Sequence, residues 1–209
     1  MTDFAQSPRI APRRERIGLW SLGSALLLLA GHIALGLLRR SPYIVYFGGP
    51  FGQDHAEALM LWLATLAMII GFSCLVPPLF NRLRPSWWRM TMKYVVAAVL
   101  ILASVLGVMI TSLILLLSTG HRYYSFDSPL SAERVAVEES SFLLIGYGDI
   151  YQQRIWPVYE HVDTYLVDDG ATPIARGEYS IDWTQTSLTL HLSVEDYIQD
   201  VTAQLSRSR

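Results

Sequence analysis

The residue whose placement most suggests chemistry is His32, an imidazole inside an apolar run. Such a group can relay protons or line a polar path. A relay wants partners, and the surrounding apolar runs hold no carboxylate. A neutral His32 bonded to a backbone carbonyl, or to Ser73, Thr111 or Thr65, is the simpler expectation. Further along, Glu138-Glu139, Asp163 and Asp168-Asp169-Gly170 gather carboxylates. They lack the alternating ligands around a glycine that a calcium loop needs, and Asp-Asp-Gly reads as a turn. His121, His161 and His191 have no metal-ligand spacing. His55 and Glu57 do not form an H-E-x-x-H arrangement, and Ser140 and Ser141 lack the glycine framing of a nucleophile elbow. No catalytic residue, metal ligand or cofactor is therefore assigned, and the expectation leans away from an enzyme.

Gly146-Tyr147-Gly148-Asp149 resembles the potassium-channel selectivity filter, whose backbone carbonyls replace an ion's hydration shell. Ser140–Ile145 stands where a pore helix would. The filter's preceding Thr-Val pair is Leu144-Ile145 here, and no stretch after residue 149 can span a membrane. The expectation is instead a strand whose glycines permit a bulge or close packing.

The elements that must position these groups follow from composition. The chain has 209 residues, 52% hydrophobic and 16% charged, against roughly 25% charged in an ordinary soluble domain. The shortfall is local. Residues 17–38, 58–80 and 94–118 contain no Asp, Glu, Lys or Arg, and each clears the roughly 20 residues a membrane-spanning helix requires. A soluble single-domain enzyme is excluded, as is a nucleic-acid binder built on basic charge, since the net charge is −2. The first run exceeds a signal-peptide core and lacks a small-residue cleavage site, so it reads as a retained signal-anchor. Cys74, the single cysteine, allows no disulfide within one chain. Basic residues are almost all arginine, which hints at a GC-rich bacterial genome.

Charge sets the expected topology. Arg9, Arg13, Arg14 and Arg16 precede the first run, and Arg82, Arg84, Arg89 and Lys93 lie between the second and third. The other side holds Arg39, Arg40, Arg122 and Arg134, so the N-terminus is placed in the cytoplasm and the C-terminus outside, at a plasma membrane. Trp20, Trp87, Trp88 and Tyr94 suit the inner interface, and Tyr43, Tyr46, Phe47, Tyr123 and Tyr124 the outer. Pro77-Pro78 is expected to end the second helix. The organisation is a basic tail (1–16), a three-helix transmembrane region (17–118) and an extracytoplasmic β-rich domain (119–209).

That last segment carries fourteen acidic residues and six arginines. Tyr179, Ile181 and Trp183 alternate with polar residues, as do Leu188, Leu190 and Leu192 after a polar link, which is a hairpin with one buried face. Val135–Glu138, Ser141–Gln153 and Val158–Val167 read as further strands, with turns at Trp156-Pro157 and Asp168-Asp169-Gly170. The sum is four or five antiparallel strands in a meander or small sandwich. Ser193 as a cap, Asp196, and Val194, Ile198, Val201 and Leu205 at helical spacing predict a short C-terminal helix. The apolar, aromatic loop Ser41–Ala56 is expected at the membrane interface or beneath the sheet.

Ala103, Gly107 and Thr111, four apart, form a small-residue stripe that could pack within the chain or against another. The expected partners are the lipid bilayer and a membrane protein or second copy, with no nucleic acid. The expected function is a non-enzymatic docking, sensing or accessory subunit. The alternatives are a transport or permeation component, with His32 on its path, and a membrane-associated enzyme.

Overall fold

The computed structural model describes residues 13–81, 87–168, 170–194 and 197–206. Arg9, Arg82 and Arg84 of the charge argument, and Asp196 of the expected cap, lie outside them. Helices α1 (Arg13–Arg39), α2 (Gln53–Asn81) and α3 (Trp87–Ser118) hold the three apolar runs, each beginning before its run. All three are long and apolar enough to cross a membrane.

Pro77-Pro78 does not end α2 but lies inside its last turns, which is a correction to the expectation. Proline at 77 cannot donate to the carbonyl four residues back. That carbonyl, Ser73 O, instead accepts from the Arg14 guanidinium at 3.1 Å, so the helix continues with the freed acceptor satisfied.

The chain divides into two compact units. The first takes residues up to Ala30 together with Met60–Ser112. Within it α1 and α2 meet at two glycines. A Cβ on Gly18 would lie 2.6 Å from Leu75 Cγ, and one on Gly71 would lie 2.7 Å from Leu22 Cγ. Between α2 and α3, the Trp62 indole N–H donates to Ser112 Oγ at 3.1 Å.

The second unit comprises Gly31–Leu59 and Leu113–Arg209. Its strands are β1 (Tyr43–Val45), β2 (Arg122–Asp127), β3 (Arg134–Phe142), β4 (Ile145–Ile155) and β5 (Val158–Asp168). After a one-turn helix α4 (Pro173–Arg176) come β6 (Tyr179–Trp183), β7 (Ser187–Val194) and β8 (Tyr197–Gln204). They form an antiparallel sheet of order β1-β5-β4-β3-β2 and a second of order β6-β7-β8. Alternation then fills a core shared by the two sheets: Val135, Val137, Ile150, Tyr165 and Val167 from the first, Leu188, Leu190, Leu192, Val201 and Ala203 from the second. The hairpin pairs Tyr179 with Leu192, Ile181 with Leu190 and Trp183 with Leu188, the pairing its alternation implies.

Two expectations need correction. There are more strands than four or five, and the outermost, β1, is recruited from the loop between α1 and α2. The C-terminal helix is instead strand β8, paired along its length with β7. Val201, Ala203 and Leu205 alternate into the core while Ile198 is 70% exposed, so the period of two prevails over the helical spacing. An unpaired β7 edge and several β-branched residues favour a strand there, and tertiary pairing overrides a weak helical signal.

Gly146-Tyr147-Gly148-Asp149 lies in β4, paired on both sides with β3 and β5. Its glycines are there for close approach: a Cβ on Gly148 would lie 2.1 Å from Tyr165 Cζ, and one on Gly146 2.1 Å from Ala171 O.

Candidate functional site

The chain's unusual chemistry is a charged cluster in the second unit that runs from the exposed Arg39 through the half-buried Asp54 and His121 to the buried Glu138. Four short segments supply it. Arg39 is the last residue of α1, Asp54 lies in the first turn of α2, His121 sits between α3 and β2, and Glu138 is in the middle of β3. Asp54 suits a helix N-terminus, where a carboxylate meets the positive end of the helix dipole. Glu138 and Glu139 are neighbours on a strand, so they point to opposite faces. Both are buried, at 4% and 1% exposure.

The geometry is tight. Arg39 Nη1 forms an ion pair with Asp54 Oδ1. Asp54 Oδ2 accepts from the Tyr123 hydroxyl at 2.8 Å and lies 3.7 Å from His121 Nδ1. His121 Nδ1 is 2.8 Å from Glu138 Oε1, and the Tyr151 hydroxyl reaches Glu138 Oε2 at 3.4 Å. Beneath lies an aromatic floor of Tyr46, Tyr123, Tyr151 and Tyr159. Tyr46 stacks on Tyr123 with centroids 5.5 Å apart and meets Tyr159 edge to face. Gly52 is required here, because a Cβ would lie 2.1 Å from the Tyr123 ring. Next to Asp54, the buried Gln53 clamps three segments: it accepts from Val45 N and donates to Leu35 O and to Glu57.

Electrostatics follow from burial and pairing. The bond to Glu138 holds the His121 imidazolium, raising its pKa above the usual histidine range despite desolvation. Burial raises the Glu138 pKa, with His121 opposing the shift. Burial also lifts the Tyr123 and Tyr151 hydroxyls far above their usual range, so both remain donors. With His121 protonated and both carboxylates ionised, two cations would face two carboxylates. Asp54, His121 and Glu138 each offer a ligand atom within 4.8 Å of the others, a set that could hold a divalent cation. The Arg39 charge beside Asp54 opposes this, and the protonated cluster closes without one.

On the opposite face, Glu139 accepts from the Tyr165 hydroxyl at 3.0 Å, Ile174 N at 3.0 Å and Ala175 N at 2.8 Å. It is a structural cap for α4.

The residues singled out from sequence are placed elsewhere. His32 Nδ1 lies 3.2 Å from the Glu57 carbonyl oxygen. Along the small-residue stripe, Thr111 is buried and donates to Gly107 O at 2.8 Å, and a Cβ on Gly107 would lie 3.3 Å from Thr65 Cγ2. Ala103 is exposed beside a groove between α2 and α3 that Thr65, Phe72 and Gly107 also line. None of these four joins the charged cluster. Sequence reasoning missed the cluster because Asp54 and His121 are 67 positions apart and Arg39 and Glu138 farther still. The available signal was charge at the ends of apolar runs together with a Glu inside an apolar strand.

No protein-family model, curated protein or solved structure matches this chain. Its class is set by its own architecture: three helices long and apolar enough to cross a membrane, with an antiparallel β region that carries one carboxylate of a charged cluster.

Proposed function

We propose that this protein is a multi-pass membrane protein with its N-terminus in the cytoplasm and its β region outside. In this reading it is a non-enzymatic sensing or docking subunit of a larger membrane assembly. The observation that carries it is the Arg39–Asp54–His121–Glu138 cluster, which ties residues at the ends of three helices to the middle of the sheet. Glu138 is the buried member, and removing a partner from a buried charge is strongly destabilising, so the His121–Glu138 pair ties the chain after α3 to β3, while the solvent-exposed Arg39 adds less. A sheet tied to the chain that leaves α3 and enters α2 suits a docking or sensing subunit. The outward apolar side chains Leu26, Leu27, Val99 and Leu102 support the membrane placement, since a water-facing helix would carry polar residues there.

The test is affinity purification of the full chain in mild detergent, with the Glu138→Gln variant alongside. The reading expects a membrane or envelope protein to co-purify in stoichiometric amount and to be reduced with Glu138→Gln. A folded chain that purifies alone at all detergent strengths overturns it.

A further inference from the structure

The turn between β3 and β4 is built from the wrong residues for stability. Phe142 pairs with Ile145, leaving Leu143 and Leu144 as a two-residue hairpin loop. Leu143 has φ of +56°, the left-handed region that glycine or asparagine adopts far more cheaply. Both leucines are bare, at 83% and 72% exposure. Ile145 follows at 59%, and Leu166, diagonal to it on the same face of the sheet, is 64% exposed. From Ser140 to Gly148 the hairpin carries no charge. A local rule is broken here while both leucine side chains stay open, a pattern that marks function.

Topology says what the tip meets. β1, β2 and β4 run in one sense, because each neighbouring pair across the sheet is antiparallel. β1 and β2 are the strands that receive the chain from α1 and α3. β1 pairs with the far end of β5, so the level of the turn is set by β2: the β3–β4 turn lies at the end of the sheet where the chain arrives from α3. It also overshoots. Arg122, the first residue of β2, pairs with Glu139, and β3 runs three residues beyond that point, about 10 Å at 3.3 Å per residue. Ile145 shares its face with Glu138, whose partners His121 and Asp54 stand at helix ends.

We propose that the Leu143-Leu144 hairpin dips into the lipid bilayer, with Ile145 and Leu166 at the level of uncharged or zwitterionic headgroups. The exposed Asp168, paired with Ile145, disfavours an anionic surface. This makes the β region a second membrane contact beside the helices. It rests on the helices spanning that bilayer.

The experiment uses the full chain carrying Cys74→Ser, reconstituted in phosphatidylcholine vesicles, with one environment-sensitive thiol fluorophore per variant. Leu144→Cys probes the tip, Ile101→Cys the exposed face of α3, and Ala132→Cys the opposite end of the sheet. Quenching is read with brominated acyl chains and with aqueous iodide. The expected result is that the Leu144 and Ile101 labels are quenched several-fold more by bromolipid than the Ala132 label and are shielded from iodide. Iodide quenching of the Leu144 label equal to that at Ala132, with Ile101 lipid-exposed, overturns the hairpin contact while leaving the spans intact. A Leu144 label shielded from both quenchers overturns it in favour of a protein contact. An Ile101 label open to iodide overturns the spanning reading and this inference with it.

Discussion

Replacing Gly148 with alanine should strongly destabilise the β region. The added Cβ would lie 2.1 Å from Tyr165 Cζ and 2.4 Å from its hydroxyl oxygen, where a comfortable contact is about 3.5–4.0 Å. The ring must retreat by more than about an ångström. It cannot do so freely, because Tyr165 is 2% exposed and its hydroxyl donates to the buried Glu139. Overpacking costs about 1–3 kcal/mol and a weakened bond to a buried carboxylate about 1.5–3 kcal/mol. The total of about 2.5–6 kcal/mol is a large part of the roughly 5–15 kcal/mol that stabilises a domain. Thermal unfolding of the full chain in detergent, followed by near-UV circular dichroism, should show a fall of about 10–20 °C. In a Tyr165→Leu background the same substitution should cost about 1 kcal/mol or less, since the obstructing ring is gone. Equal penalties in both backgrounds, or a fall below about 2 °C in the first, would refute the close-packing account of the glycines.

Stability should also fall as pH rises. The folded pKa of His121 is raised, so its contribution is complete below about pH 6.5, the unfolded value, and is lost as pH climbs through the folded one. Glu138, raised by burial, acts in the same direction from its own unfolded value upward. Denaturant unfolding of the full chain between pH 5 and 9 should show this decline, and His121→Gln should flatten its upper part; an unchanged slope would remove His121 as its source. Trp183→Ala should cost about 2–3 kcal/mol, below the full-burial value because the indole is only partly buried against the core. Asp182→Ala, on the exposed face of the same strand, should change stability by about 0.5 kcal/mol or less, and equal effects in the two variants would mean that the indole is not an anchor.

Local pattern carried far in this chain. Twenty or more apolar residues without charge or alternation favour a long helix, because a helix satisfies its backbone groups within the segment. The hairpin of Tyr179–Leu192 was likewise legible, since a period of two leaves one face apolar and fixes the partners of Trp183 and Ile181. The segment Val194–Leu205 was not. Its side chains satisfy a helical spacing and a strand spacing together, and the open edge of β7 decided between them. The same holds for the charged cluster. Nothing near Asp54 in sequence distinguishes it from an ordinary first-turn acid, and Glu138 reads like its neighbour Glu139. Only when the loop after α1 joins β5, and β3 lies against β2, do Arg39, Asp54, His121 and Glu138 meet. Sequence dictates which residues seek burial because that preference is a property of each side chain and its near neighbours. Which charges share a site depends on contacts such as that between Asp54 and His121, 67 positions apart, and those exist only once the sheet has closed.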